Sequence, residues 1–459
     1  MFEEDTIAAI ATPFGMGGIG IIKVSGPKCL EIAERIFRGN SKSPTSKSHY
    51  LHYGEVIDTQ DGSVIDEVLL ALMRKPTSYT KEDVMEINCH SGFLVLQRIL
   101  ELVLREGARL AEPGEFTKRA FINGRINLSQ AEAVVDIVKS QTSASLKIAA
   151  QQLKGALSQK IISLKEDLAT LLASIEASID FPDEDIDIIP PQELLINIRR
   201  LIDDVRILTE TYEEGKFYRE GISAIIIGRP NVGKSSLLNV LLGEKRAIVT
   251  PIPGTTRDFI EESISIKGFP LKIIDTAGIE DTSDLIEEEG IRLARERLAF
   301  TDLVLLVVDS SLGLSHGDFN LISELKDKRV TIVLNKVDLI SQAAIISLKA
   351  RLQNYTVVPI SALYSQGIEE LKEAVLSTII HHRLDHTESV IVTNTRHKIA
   401  LEKVLVNLER AKESIAGEMS PEFTALDIQL SLGCLGEIVG DTTSDDILDK
   451  IFSEFCIGK

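Results

Sequence analysis

The chain has 459 residues, 44% of them hydrophobic, and a formal charge of −19. That length points to about three domains, and the acidic balance argues against broad electrostatic binding to nucleic acid while leaving a local patch or shared surface open. The acidic Met1-Phe2-Glu3-Glu4-Asp5 does not start a signal or transit peptide, and apolar runs such as Leu303 to Val308 fall far short of the ~20 residues that cross a bilayer. Four scattered cysteines (Cys29, Cys89, Cys434, Cys456) form no C-x-x-C pair and fit a reducing compartment; no membrane association and a cytoplasmic location are expected.

Residues 1–120 read as an α+β domain. Thr6 to Thr12, Gly20 to Ser25, Tyr53 to Ile57 and Val64 to Met73 have strand content, and Pro27 to Phe37 and Phe93 to Arg105 read as amphipathic helices. Gly15-Met16-Gly17-Gly18-Ile19-Gly20 satisfies the dinucleotide fingerprint formally. A strand, Ile19 to Val24, follows the glycines where the fingerprint needs a helix, so a turn between strands is expected.

Residues 121–216 change period. Ser129-Gln130-Ala131-Glu132 reads as a capping box opening a very long helical pattern, with Leu157, Ile161, Leu164, Leu168, Leu171 and Ile175 in one apolar stripe. The acidic Phe181 to Pro191 stretch breaks it, and Leu194, Ile198, Leu201, Val205 and Leu208 repeat the spacing. The thirteen acids and five bases of 176–220 read as a solvated face.

Residues 217–380 alternate strands and helices, the pattern of a doubly wound α/β domain. Helical periodicity returns over 381–459 with Leu401, Val404, Leu408 and Ala411, then a helix from Ser420-Pro421 through Leu432, then Asp446 to Phe455. Helices on both sides of a complete α/β unit predict that it is inserted into a helical domain.

The α/β unit carries the chemistry. Between the apolar run Ile222 to Ile227 and the helical pattern Ser236 to Leu242 lies Gly228-Arg229-Pro230-Asn231-Val232-Gly233-Lys234-Ser235, a phosphate-binding loop. Lys234 is expected to reach the β- and γ-phosphates, and Ser235 to ligate Mg²⁺. Asn231, Val232, Gly233 and Ser236 complete the phosphate cradle.

The loop alone leaves ATP and GTP open. Asn335-Lys336-Val337-Asp338 decides for GTP, because the Asp338 carboxylate can accept from guanine N1–H and the exocyclic amine. Ser361-Ala362-Leu363 is expected to close over the base. Asp275-Thr276-Ala277-Gly278 offers a carboxylate to Mg²⁺ through water and an N–H to the γ-phosphate. Thr250-Pro251-Ile252-Pro253-Gly254-Thr255-Thr256 supplies Thr256 as the second Mg²⁺ hydroxyl. Ile279 stands where Ras-like enzymes carry a water-orienting glutamine, so hydrolysis must use another group.

With the stretch from Asp5 to Gly20, Glu112-Pro113-Gly114-Glu115-Phe116-Thr117, Phe181-Pro182-Asp183-Glu184 and the terminal Phe455-Cys456-Ile457-Gly458-Lys459, the chain resembles the MnmE (TrmE) family of tRNA-modification GTPases along essentially its whole length. The resemblance implies K⁺ beside the GTP, held by Asn231, Thr250, Ile252 and Thr255, and a catalytic glutamate at Glu287. The residues themselves do not separate Glu287 from Glu288 and Glu289. It implies a tetrahydrofolate derivative in the N-terminal domain, on Lys23, Glu86, Arg125 and Lys459, with Lys23 where relatives often have arginine. Cys456 is either a reactive thiol or a small buried apolar residue. It further implies a homodimer through the N-terminal domains and an FAD-dependent partner protein. Together these modify C5 of the wobble uridine, position 34 of certain tRNAs, with an aminomethyl or carboxymethylaminomethyl group. The rival readings are a ribosome-assembly RNA-binding GTPase switch and a GTP-dependent dimerisation module without modification chemistry.

Overall fold

The computed structural model describes residues 5–13, 15, 17–39, 47–180, 189–243, 261–274, 301–380 and 390–459. They group into two units: Met1–Val135 with Gln152–Lys165 and Gly433–Lys459, and Asp136–Gln151 with Glu166–Leu432. Among the described residues no helix is long and apolar enough to cross a membrane.

Period-two alternation builds the sheet of the first unit. Its strands are β1 (Ile7–Ile10), β2 (Gly17–Ser25), β3 (Phe37–Gly39), β4 (Tyr50–Ile57), β5 (Val64–Met73), β6 (Val84–Ser91) and β7 (Arg109–Leu110). They lie in the order β3-β4-β5-β6-β2-β1-β7, antiparallel except for β1 with β7. Ile22, Val24, Leu70, Leu72, Met85 and Ile87 are fully buried, in one core with Ile32, Ile36, Leu96 and Ile99 of helices Cys29–Ile36 and Phe93–Arg105. Gly17, Gly18 and Gly20 lie inside β2 itself, paired with β6, so most of the glycine run is strand and not the expected turn, and no helix follows it as a dinucleotide loop requires.

Three helices replace the single long pattern: Leu128–Lys139, Ser143–Leu153 and Ala156–Asp180. The breaks fall at Ser140-Gln141-Thr142 and Lys154-Gly155, short polar or glycine-bearing steps that a periodicity count passes over. The first cap also differs from expectation. Asn127 accepts from Gln130 N–H at 3.0 Å, and Gln130 Oε1 accepts from Asn127 N–H at 3.0 Å, so the box is Asn127/Gln130, and Ser129 lies inside the first turn, donating to Asn127. The expected stripe from Leu157 to Ile175 is buried throughout.

The terminal helix Asp445–Ser453 buries Leu448 and Phe452, with Phe455, against Leu128, Ala131 and Val135. The tail then crosses β1 so closely that a Cβ on Gly458 would stand 2.7 Å from the Ile10 carbonyl oxygen; its φ of +94° is a second reason for glycine.

In the second unit, helices Pro191–Glu210 and Thr395–Ala416 pack along each other, burying Leu194, Ile198, Leu201, Val205 and Leu208 with Leu401, Val404, Leu408 and Ala411. These two helices bracket a six-stranded sheet in the chain. Its strands are β8 (Ile222–Ile227), β9 (Glu261–Ile266), β10 (Phe269–Ile274), β11 (Leu303–Asp309), β12 (Val330–Asn335) and β13 (Thr356–Pro359), in the order β13-β12-β11-β8-β10-β9. Only β9 runs antiparallel. β11 sends Leu303, Leu305 and Val307 into one core and Val304, Leu306 and Val308 into the other. A strand buried on both faces must read as a continuous apolar run, and this one does. The helix after Ser420 is longer than expected, Pro421–Val439, because Ile428, Ser431, Leu435 and Ile438 keep one buried face past Leu432.

Candidate functional site

The C-terminal ends of β8, β12 and β13 carry the expected phosphate and base segments, the edge at which parallel α/β sheets bind ligands. β8 ends at Ile227, the loop turns, and helix Lys234–Gly243 starts on its last residues, with Leu237 N–H donating to the Gly233 carbonyl at 2.9 Å. The exposed hydroxyl of Ser235 sits in the first turn of that helix, whose N–H groups and dipole favour anions. Lys234 is buried, and its ammonium donates to the carbonyls of Gly228 at 2.9 Å and Arg229 at 3.0 Å. Arg229 is engaged elsewhere: its Nε donates to the fully buried Asp318 at 3.1 Å, and Asp318 also caps helix His316–Glu324 through Ser315.

One amide joins the phosphate loop to the base loops. Asn335 Nδ2 donates to the Val232 carbonyl at 2.9 Å, and its Oδ1 accepts from Ala362 N–H at 3.0 Å. Gly233 makes room for it: a Cβ there would lie 2.2 Å from Asn335 Nδ2, and φ is +98°. Ser361 is buried and bridged to Gln366, Leu363 is 77% exposed, and Asp338 stands exposed in the 3-10 turn Val337–Leu339. Asn231, Val232, Gly233, Lys234, Ser235, Ser236, Asn335, Lys336, Asp338, Ser361, Ala362 and Leu363 therefore occupy one edge of one sheet. Thr250 to Thr256, Asp275 to Gly278, Ile279 and Glu287 lie outside the described residues.

Asp309 was not singled out by the sequence. It ends β11 and accepts from Lys336 Nζ at 2.5 Å and from the Ser311 N–H and hydroxyl at 2.9 and 2.6 Å. Burial pushes its carboxyl up, but the Lys336 and Ser311 donors outweigh burial and hold it below the ordinary carboxylate value. The only trace in sequence is an aspartate closing an apolar run, a signal shared by many strand ends.

The first unit gathers the other expected set. Lys23 Nζ lies 3.8 Å from Glu86 and over the rings of Tyr79 and Phe116, at 4.6 and 5.3 Å from their centroids. The Arg125 guanidinium stacks on Tyr79 at 4.6 Å and donates to its carbonyl at 3.1 Å. Burial lowers the Lys23 ammonium's pKa; Glu86 opposes this, and the nearby charges of Lys459 and Arg125 add to it. Tyr79 and Phe116, which sequence reasoning missed, supply two aromatic faces beside three cations and a carboxylate. Such a set suits a flat ring with an anionic tail. Cys456 is exposed, so the buried-apolar reading does not hold.

A family model described as the MnmE helical domain matches residues 128–456, and one described as the GTP-binding protein TrmE N-terminus matches residues 6–125. The chain is 49% identical to a tRNA modification GTPase MnmE of Carboxydothermus hydrogenoformans, covering 99% of this chain and 100% of that one. It is 46% identical to the protein of that name from Acetivibrio thermocellus and 48% identical to that of Clostridioides difficile, covering both sequences completely in each pairing. Similarity of this extent, running through both the phosphate-loop sheet and the Lys23 cluster, means that the chain belongs to the MnmE family of tRNA modification GTPases.

Proposed function

We propose that this protein hydrolyses GTP in the service of tRNA modification, acting with an FAD-dependent partner on C5 of the wobble uridine and adding an aminomethyl-type group. The observation that carries the GTP half is the Asn335 amide, which joins the phosphate loop at Val232 to the base loop at Ala362. A site so tied is preorganised for a ligand with phosphates at one end and a purine at the other. Asp338 reads the guanine edge, Lys234 turns from the loop carbonyls to the phosphates, and Ser235 with Thr256 holds Mg²⁺, which neutralises charge on the phosphates when bound.

K⁺ is the cation in place of an arginine finger, on Asn231, Thr250, Ile252 and Thr255. The Arg229–Asp318 pair supports this reading, since it engages the loop's arginine away from finger duty. Glu287 acts on the attacking water. The Lys23, Glu86, Arg125 and Lys459 cluster holds a tetrahydrofolate derivative as one-carbon donor, and the N-terminal domains, bounded near residue 120, form the homodimer. The GTPase domain, 217–380, is inserted into the helical domain of 121–216 and 381–459.

The modification is tested by nucleoside analysis of tRNA from cells lacking the protein. The position-34 substituent is expected to disappear and to return with the wild-type gene; an unchanged position 34 overturns the reading in favour of an assembly switch. The cation is tested by replacing K⁺ with Na⁺ at equal ionic strength, where GTP turnover is expected to fall by about tenfold or more. Equal rates in the two salts refute the cation assignment.

A further inference from the structure

Asp309 is only 3% exposed, and the reaction described so far gives it no task. Its partner Lys336 is held on two sides: Nζ donates to Asp309 Oδ2 at 2.5 Å and to the backbone carbonyl of Asn231 at 2.9 Å. Both ends of that second contact are left-handed. Asn231 has φ of 62° and Lys336 has φ of 63°, the left-handed region, which asparagine enters more readily than most residues and lysine seldom does. Such conformations persist only where the surroundings over-determine them, and here one ammonium joins the two residues while one buried carboxylate fixes the ammonium.

We propose that Asp309 is a positioning residue of the nucleotide site: through Lys336 it holds the Asn231 carbonyl, and with it the phosphate loop, in the conformation that accepts nucleotide and cation. The cation half rests on the reading of Asn231 as a K⁺ ligand; the nucleotide half rests on the hydrogen bonds alone. An asparagine at 309 would still meet Ser311 but would bring no charge to Lys336. The ammonium, already one-third exposed, would then turn to solvent and release Asn231 from its left-handed conformer.

The test uses the full chain carrying Asp309→Asn, Lys336→Met, or both. For Asp309→Asn, GDP affinity is expected to fall about tenfold, the size of a lost charge-assisted hydrogen bond. The K⁺ concentration giving half-maximal GTP turnover should rise several-fold, and KM should rise by more than kcat falls. Because Asp309 acts through Lys336, adding Asp309→Asn to Lys336→Met should cost nothing further. Wild-type GDP affinity in Asp309→Asn overturns the proposal, and so does a loss that simply adds in the double variant, which would mark a purely structural role. Should the wild type turn over equally fast in Na⁺, the Asn231 assignment fails by itself, and GDP affinity in the three variants still judges Asp309.

Discussion

Gly233→Ala is expected to weaken guanine-nucleotide binding about a thousandfold while the rest of the chain stays folded. Two costs combine. The added Cβ meets Asn335 Nδ2 at 2.2 Å, a distance no rotamer of a packed, two-sided amide relieves, and φ of +98° is strained for any L side chain. Relief requires the amide to move, and both its bonds go with it, leaving the Val232 carbonyl and the Ala362 N–H without a buried partner. Each such loss costs about 1–3 kcal/mol, and with the backbone strain the total reaches about 4 kcal/mol, which is the stated change in Kd. Fluorescent GDP titration reads the affinity, and hydrogen exchange in β8 and β11 reports whether the sheet persists. Asn335→Ala separates the causes: in that background the clash partner is gone, so Gly233→Ala should add only the backbone strain. A variant that binds GDP within threefold of wild type would refute the account.

The same residues explain what could be read before the fold was known. The phosphate loop, β8, β11 and β12 are local features: a continuous apolar run is forced by burial on both faces, and the glycines and lysine of the loop lie next to one another in the chain. The helical stripes were equally legible, because Leu157 to Ile175 each contribute to a face set by spacing alone. β6 is hard to read in the sequence although Met85, Ile87 and Cys89 alternate inward, because Glu86, Asn88 and His90 between them lower its apolar content. β9 was missed for want of its partner, since an antiparallel edge strand declares itself only by pairing with β10. Long-range pairs were out of reach altogether. Nothing in the order of residues announces that Lys336 meets Asp309, that Arg229 meets Asp318, or that Tyr79 and Phe116 stand beside Lys23. Those contacts exist because the sheets bring distant segments to one edge or one face.

Arg119→Met should destabilise the N-terminal sheet by about 3–5 kcal/mol at neutral pH, the usual cost of removing one partner from a buried ionic network. The Arg119 side chain is 8% exposed and sits among carboxylates. Its Nη2 donates to Asp5 Oδ1 at 2.5 Å and Glu115 Oε1 at 2.9 Å, and its Nη1 to the Asp5 carbonyl at 2.9 Å and Glu82 Oε1 at 3.2 Å. Arg109 contributes a second fork on Glu115, at 2.6 and 2.8 Å, so Glu115 is shared between two guanidinium groups. Burial raises the carboxyls of Asp5 and Glu115, but the arginine donors outweigh it, with the Glu112 N–H assisting at Glu115, and both are held below their ordinary values. Groups depressed in the folded state contribute stability that is complete above their unfolded pKa and lost as pH falls through the folded value. Removing Arg119 should therefore hurt most at neutral pH, and the deficit should narrow as acid protonates Asp5 and Glu115 in both proteins. Hydrogen exchange of peptides spanning β1, β2 and β6, corrected for the intrinsic pH dependence of exchange, measures this in the full chain. Arg119→Lys should fall between the two, since a point charge cannot span Asp5 and Glu115 as a guanidinium does. Unchanged protection at neutral pH, or a deficit that stays constant into acid, would show that packing and not this ionic network holds the segment.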